Sequence, residues 1–527
     1  MVGTVTTDLV FFTGATGGST SNCDAITDWV TAPTLDIENY IQGTGACAAK
    51  VSKTTLTSVF NLVAEVDLTG KQIFIWAMCS GRLDLKTGGG LRIRVENAAA
   101  QFGEWTVAGR DTWGGGWTPW TVHTSTAFDA GATIPNVAAV KKVGIVFDVV
   151  GSATANNCFW DAMRYGTSLN IKAGTSGSPA TFQDMLDAEN LVANKYGVIF
   201  LYEGLLIVQG KLVFGSTTLD EVTYFKDTTG KVLIFGDKLV PTDYYEIKLQ
   251  GNANTAVTKI YFGEKVGGSG VSGITVRASS SGKPVKVTAS DTNITEYGFY
   301  GCVFYQAAAI TLQPYSTVKE FLDCSVTKSA EMLPDTGIVK NCTFSSSTGR
   351  ALRMISASHN ISDSKFINCQ TGFHANFSTA VTISNLNFYG NTYDLEHSVA
   401  GTLTVNYQNC PSPPSTVNET GGGNTIIQTS VTLTVRHVKT GSEPAEYVRC
   451  YIEKTSDKSQ IMNQDATVAD DQNPTYYKAT MTYTATGIAV TVRAREKGYL
   501  PFETGGTITS SGLDVTAVWL PDPNYQP

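Results

Sequence analysis

The chain has 527 residues, 42% of them apolar and 16% charged, which leaves room for about three domains. The charged share is below the roughly 25% of ordinary soluble proteins. Gly, Ser, Thr and Asn fill the gap, which suits strands and tight turns and argues against a disordered polyelectrolyte. A formal charge of −8 with no basic patch argues against nucleic-acid or anionic-membrane binding. The first expectation is an all-β protein.

Residues 1–166 read as short alternating strands between Gly- and Thr-rich turns, such as Gln72-Ile73-Phe74-Ile75-Trp76-Ala77-Met78 and Val143-Gly144-Ile145-Val146-Phe147-Asp148-Val149. This spacing predicts a two-sheet sandwich. The block opens without a basic segment or a long apolar run, so the chain is expected to be made in a cytoplasm and used without conventional export. No stretch approaches the roughly 18 apolar residues of a membrane span, so no membrane insertion is expected. Trp113, Trp117 and Trp120 lie in one Gly-rich run, Trp113-Gly114-Gly115-Gly116-Trp117-Thr118-Pro119-Trp120. They are candidates for contact with a glycan or a partner, because an aromatic face stacks on the apolar face of a sugar. Packing within their own domain or against a neighbouring subunit is the reading favoured over an exposed platform. Trp76 and Trp160 read as core.

Residues 167–199 contain the one helical pattern. Thr181 and Asp184 are spaced as a capping box, Phe182, Met185, Leu186, Val192 and Tyr196 give a partly helical apolar face, and Gly197 suits the C-terminal cap. The helix is expected to cover the open end of a solenoid on its C-terminal side, where strand edges and core would otherwise be exposed.

Residues 200–410 carry internal repeats. Gly210-Lys211-Leu212-Val213-Phe214-Gly215 returns twenty residues later as Gly230-Lys231-Val232-Leu233-Ile234-Phe235-Gly236, with a partial echo at Lys259-Ile260-Tyr261-Phe262-Gly263. A second series runs through Phe299-Tyr300-Gly301-Cys302-Val303-Phe304, Phe321-Leu322-Asp323-Cys324-Ser325-Val326, Val339-Lys340-Asn341-Cys342-Thr343-Phe344, Ile361-Ser362-Asp363-Ser364-Lys365-Phe366 and Ile383-Ser384-Asn385-Leu386-Asn387-Phe388. Its last position falls at 304, 326, 344, 366 and 388, in steps of 22, 18, 22 and 22. About 22 residues close a coil of three short strands, and coils stack about 4.8 Å apart. Phe304, Val326, Phe344, Phe366 and Phe388 are therefore expected to form one internal ladder. Asp323, Asn341, Asp363 and Asn385 are expected to line a turn that tolerates left-handed geometry. The 18-residue step predicts a missing set of turn residues. At this point the chain resembles the right-handed parallel β-helix family, which includes pectate lyases, phage tailspikes and non-catalytic phage fibre domains.

Residues 411–428, beginning Pro411-Ser412-Pro413-Pro414, read as a flexible linker. Residues 429–527 return to alternating strands and resemble the small immunoglobulin- or transthyretin-like sandwiches of phage structural proteins. The Cys158–Gly166 segment likewise resembles the last strand of jelly-roll modules in carbohydrate-binding domains and phage accessory proteins. The expected fold is an N-terminal jelly-roll-like β-sandwich, a central right-handed parallel β-helix with a capping helix, and a small C-terminal β-sandwich.

Chemistry is sparse. The ten cysteines include no C-x-x-C pair, and the five histidines (His123, His359, His374, His397 and His437) are not spaced as metal ligands. No metal site and no cofactor are expected, and the thiols read as free and buried. Asp323 and Asp363 are the best pair for an inverting glycosidase, on the order of 9.6 Å apart by coil spacing, yet Asn341 holds the same place between them, which favours a turn role. Arg350, Arg353 and Lys365 lack the acidic cluster of a lyase, and His359 and His374 read as surface or turn residues. No catalytic residue is assigned. The resemblance implies a non-enzymatic structural part of a bacteriophage virion, assembled in the host cytoplasm: a capsid decoration, head-fibre or tail-fibre protein. Its expected partners are other virion proteins and two further copies in a homotrimer, with a host surface glycan as a further candidate. A tailspike-type depolymerase is the first alternative and a carbohydrate-binding adhesion protein the second.

Overall fold

The computed structural model describes all residues except 1–3, 17, 32, 132–134, 152–154, 173–177, 191–194, 203, 217–221, 228, 237–244, 253–257, 280–283, 290–292, 313–317, 334–336, 411–413, 440–447, 471–476, 484–486, 510 and 525–527. The fold is all-β, with one α-helix among the described residues, and the chain divides into two compact units, 1–334 and 335–527.

The first unit begins with two antiparallel sheets. One orders Thr118–His123, Gln72–Cys79, Asn156–Gly166, Ala46–Val51 and Thr34–Asp36; the other orders Trp29–Val30, Thr55–Val66, Val140–Asp148, Leu91–Glu96 and Phe102–Ala108. Alternation puts one face of each sheet into a shared core that includes Trp29, Phe60, Trp105, Phe147 and Trp160. Parallel coils come next. Leu206, Leu233, Val276, Phe304 and Val326 are successive in-register partners on one face, all buried. On another face Phe262, Phe299 and Phe321 stack with centroids 5.0 and 4.8 Å apart and rings within 14° of parallel.

The helix runs from Phe182 to Asn190. Its capping box forms: the Thr181 amide and hydroxyl donate to Asp184 Oδ2 at 2.7 and 2.9 Å. Phe182 packs on Phe225 at 5.1 Å, and Phe225 on Phe214 at 5.4 Å, so the helix covers core aromatics of the early coils. Val192 lies outside the described residues. Gly197 does have positive φ, and residues 191–194 between it and Asn190 lie outside the described residues.

The twenty-residue echo is corrected by the pairing. Lys211 partners Glu246, whereas Val232 partners Thr275 in a different sheet, and Lys259 partners Glu296 in a third. The three segments are faces of coils, not equivalent coils. What they share is a strand that ends in a left-handed glycine, with Gly215, Gly236 and Gly263 at φ 98°, 78° and 80°.

In the second unit Phe344, Phe366 and Phe388 are in register and stack at 5.1 and 5.2 Å, within 11° of parallel. The residues predicted at the turn adopt the left-handed region throughout both units, with Asp323, Asn341, Asp363 and Asn385 at φ 54° to 57°. A second corner, five residues further on, repeats the device at Gln306, Lys328, Ser346, Asn368 and Gly390. Each three-residue strand, such as Lys365–Ile367, is thus held between two left-handed corners. The segment where the short coil predicts missing turn residues includes 334–336, outside the described residues.

The cysteines of the coils belong to these corners. The Cys302, Cys324, Cys342, Cys369 and Cys410 thiols each donate to the carbonyl two residues earlier, at 3.4 to 3.8 Å. Ser364 does the same with its hydroxyl at 2.8 Å. A small donor after the corner satisfies a carbonyl that the bend turns inward. All ten cysteines are buried and in the thiol form.

The expected flexible linker is also corrected. Val417–Glu419 pairs with Tyr393–His397 in a solenoid sheet, and one strand, Asn424–Lys439, takes up the rest. Its first part pairs in parallel with Thr402–Gln408, and its second part pairs with Tyr477–Tyr483 and Leu513–Trp519 of the C-terminal sandwich. Pro411–Pro413 fall outside the described residues, and their composition hid the two strands that come after them. The sandwich core includes Val435, Ile452, Val492 and Trp519.

Phe366 is sandwiched between two stacked rings and fully buried. Phe366→Ala is expected to destabilise the protein by about 3–5 kcal/mol, read as a fall in the urea midpoint. A loss below about 1 kcal/mol would mean that the ladder does not carry the coil.

Candidate functional site: an aromatic cleft beside the helix

In the first unit an open cleft of about 440 Å³ is lined by sandwich, helix and early coil. Trp76 comes from Gln72–Cys79, Trp117 from the turn before Thr118–His123, Leu186 and Glu189 from the helix, and Phe200 and Tyr202 from Ile199–Tyr202. Trp76 and Trp117 are half-buried. Trp76 is fixed by its Nε1, which donates to the Lys195 carbonyl at 2.9 Å, and Trp117 lies 6.3 Å from the Phe159 ring. Gln183, Asn190, Lys195 and Lys231 supply polar groups around the aromatic lining.

The three tryptophans of the Gly-rich run therefore separate. Trp113 and Trp120 are buried and pack edge to face at 5.5 Å inside the sandwich. Only Trp117 reaches the cleft. The partners that complete it, Trp76 and the 183–202 segment, were not legible as a site in the sequence because they are far apart along the chain.

Glu189 is the acid of the cleft wall. Its carboxylate accepts the amides of Gly197 (2.9 Å), Val198 (3.0 Å) and Ile199 (3.2 Å), which pins the loop after the helix. Burial pushes its pKa up to about 7, against these amides and the nearby Arg164 guanidinium. Arg164 lies over the Phe11 ring at 4.3 Å and the Tyr196 ring at 5.0 Å. Asp161 is likewise pushed up to about 7 by burial, although its Oδ2 accepts the Ile41 and Gln42 amides. It is fully enclosed and faces no substrate.

Four described carboxylates of the first unit's coils are ion-paired. Glu246 pairs with Lys211 at 2.8 Å, Glu296 with Lys259 at 2.5 Å, Glu320 with Lys265 at 2.7 Å, and Glu264 with Lys226. In the second unit Glu396 takes Arg350 at 2.5 Å. Burial opposes ionisation of Glu246 and Glu396, yet their cations outweigh it and both lie below the usual carboxylate range. The Lys259 hydrogen bond holds Glu296 below it as well. The Arg350–Glu396 pair was missed in the sequence, where its members are 46 residues apart; the 22-residue step from His374 to Glu396, which are in register, was the available signal.

Asp323 and Asp363 are corner residues. Asp323 accepts the Gly270 amide, and Asp363 accepts Ser362 Oγ at 3.0 Å and Asn385 Nδ2 at 2.7 Å. His374 is buried with Nε2 2.7 Å from Ser398 Oγ, and His359 is buried too, so neither is a surface residue. Among the described residues no cluster of three or more His, Cys, Asp or Glu is placed to hold a metal.

No family model matches the chain, and no curated protein does. Among solved structures, an Agl-KA catalytic domain matches at 9% identity and TM-score 0.21, covering 84% of this chain and 87% of that one. A GH87 α-1,3-glucanase catalytic domain in complex with tetrasaccharides matches at 9% identity and TM-score 0.18, covering 81% and 96%. An exo-β-agarase matches at 9% identity and TM-score 0.21, covering 28% of this chain; the chain spans about a quarter of that agarase's length. Likenesses of this size carry no argument about activity.

Because the Glu189 pKa is raised, its contribution to stability is full below the unfolded carboxyl pKa of about 4.3. It is lost as pH rises through about 7. Glu189→Gln should flatten the decline in melting temperature across that window, leaving the part due to Asp161. An unchanged slope would remove Glu189 as its source.

Proposed function

We propose that the chain is a non-enzymatic structural component of a bacteriophage particle surface, a capsid decoration, head-fibre or tail-fibre protein, with its solenoid as a rigid spacer. The observation that carries the non-enzymatic reading is the state of the coil carboxylates. Glycoside hydrolysis needs an acid with raised pKa facing a second carboxylate. Glu246, Glu264, Glu296, Glu320 and Glu396 are instead ion-paired, and Asp323 and Asp363 are held at corners. Among the described residues the carboxyls pushed up to about 7 are Asp161, enclosed in the sandwich, and Glu189, held by three amides.

The particle assignment rests on the resemblance of the repeat and of the two flanking sandwiches, and a homotrimer is part of the same proposal. Native mass measurement tests the trimer, and a plain monomer at high concentration would remove it. Incubation with host capsule, lipopolysaccharide, agarose or α-1,3-glucan should release no oligosaccharide. Release that disappears in a Glu396→Gln or Asp363→Asn variant would establish the depolymerase reading instead.

A second reading, binding of a neutral glycan, is favoured by one feature: Trp76, Trp117 and Tyr202 line the same open cleft with amide and ammonium groups beside them. Trp117→Ala should weaken glycan binding at least about tenfold, as loss of one aromatic stacking contact worth about 1.5 kcal/mol implies. Equal binding on a glycan array by the parent and by Trp117→Ala would eliminate the cleft as the site.

A further inference from the structure

Five cysteines have a corner task in the coils; Cys79 and Cys158 do not. They stand directly opposite each other on the antiparallel strands Gln72–Cys79 and Asn156–Gly166. The Ser80 amide donates to the Asn157 carbonyl at 2.9 Å, whereas the Cys79 amide points away to Gly115 O at 2.9 Å. Ser80 and Asn157 are thus the hydrogen-bonded pair, and Cys79 and Cys158 the neighbouring non-hydrogen-bonded pair. In such a pair the Cα atoms approach to about 4.5 Å and the side chains are closest. That spacing is within the roughly 4.4–6.8 Å a disulfide spans. The two sulfurs are 3.8 Å apart and both residues are buried.

We propose that Cys79 and Cys158 are a disulfide-forming site, closed by a peroxide-class oxidant, that ties together two adjacent inner strands of the N-terminal sandwich. Cys79 is the attacking sulfur. The hydrogen bond from Cys158, with the Gly81 amide, holds its thiol below the ordinary range against burial, and the same contact raises Cys158. The Cys79 thiolate takes one oxygen of hydrogen peroxide and becomes a sulfenic acid, releasing hydroxide, which the proton lost by Cys79 converts to water. Cys158 sulfur then displaces the sulfenic oxygen, which leaves as a second water with the Cys158 proton. Two thiols and one peroxide give one disulfide and two waters, and the two electrons lost by sulfur reduce the peroxide. By contrast, Cys302 donates to the Tyr300 and Phe262 carbonyls and Cys324 to the Leu322 and Phe299 carbonyls, which occupies them elsewhere.

The test treats the folded full-length chain with hydrogen peroxide, alkylates it in denaturant and maps its peptides. The expected result is a cross-linked Cys79–Cys158 peptide, with two fewer alkylatable thiols and a higher melting temperature that thiol reductant reverses. Cys158→Ala should leave Cys79 uncross-linked and abolish the reversible shift. Recovery of Cys79 and Cys158 both alkylated from the treated parent chain, or of Cys79 as a sulfinic acid beside alkylated Cys158, would overturn the proposal. The peptide map of the parent chain decides the matter even if the variant folds poorly.

Discussion

A coil of three short strands closes only if the chain bends sharply between strands, and here the two bends that flank the shortest strand, such as Asp363 and Asn368 around Lys365–Ile367, are single residues in the left-handed backbone region. For most L-residues this conformation costs on the order of 1–2 kcal/mol, less for Asn and Asp, and glycine adopts it freely. The corner series Gly301, Asp323, Asn341, Asp363 and Asn385 follows that preference. Once the corner is set, the rest is determined by strand alternation: the next residue points inward and is small or apolar (Cys302, Cys324, Cys342, Ser364, Leu386), and the third points inward and is Phe or Val. The aromatic ladder, the buried thiols and the polar turn row are three consequences of one backbone constraint. Asp and Asn at such a corner match its φ and supply local hydrogen bonds, as Asp323 and Asp363 do.

The corner constraint also explains how far the sequence could be read. From Gly301 to Asn385 the corners step by 22, 18, 22 and 22 residues, so the turn row and the in-register runs Phe304–Val326 and Phe344–Phe366–Phe388 were visible in advance. Earlier coils hold their corners with glycine but vary in length: Phe214, Leu249 and Ala289 are successive partners separated by 35 and 40 residues. There the repeating unit legible in the sequence was strand plus glycine, one face of a coil and not a whole coil. The second row of corners went unread because Gln306, Lys328 and Ser346 are not the residues that advertise left-handed geometry. The cleft was legible only at Trp117, since its other walls come from a different strand, the helix and the loop that Glu189 pins. A pattern that repeats is visible in one dimension, and a site made once from distant segments is not.

Rigidity stems from how the strands leave the solenoid. In the first unit the sandwich and the coils share buried polar joints: Gln72 Nε2 donates to Gln209 O at 3.0 Å, and Gln209 Nε2 donates to Pro119 O at 2.9 Å. Thr4–Thr7 pairs with Ser168–Lys172, which in turn begins the parallel sheet at Lys211–Gly215. In the second unit Asn424–Lys439 is one strand shared by solenoid and sandwich. Bending at either place would leave buried amides without partners, and each such loss costs about 1–3 kcal/mol. Sandwich and coil therefore move together within each unit. The aromatic cleft, with Trp76 and Pro119 in its lining, is set at the first of these joints.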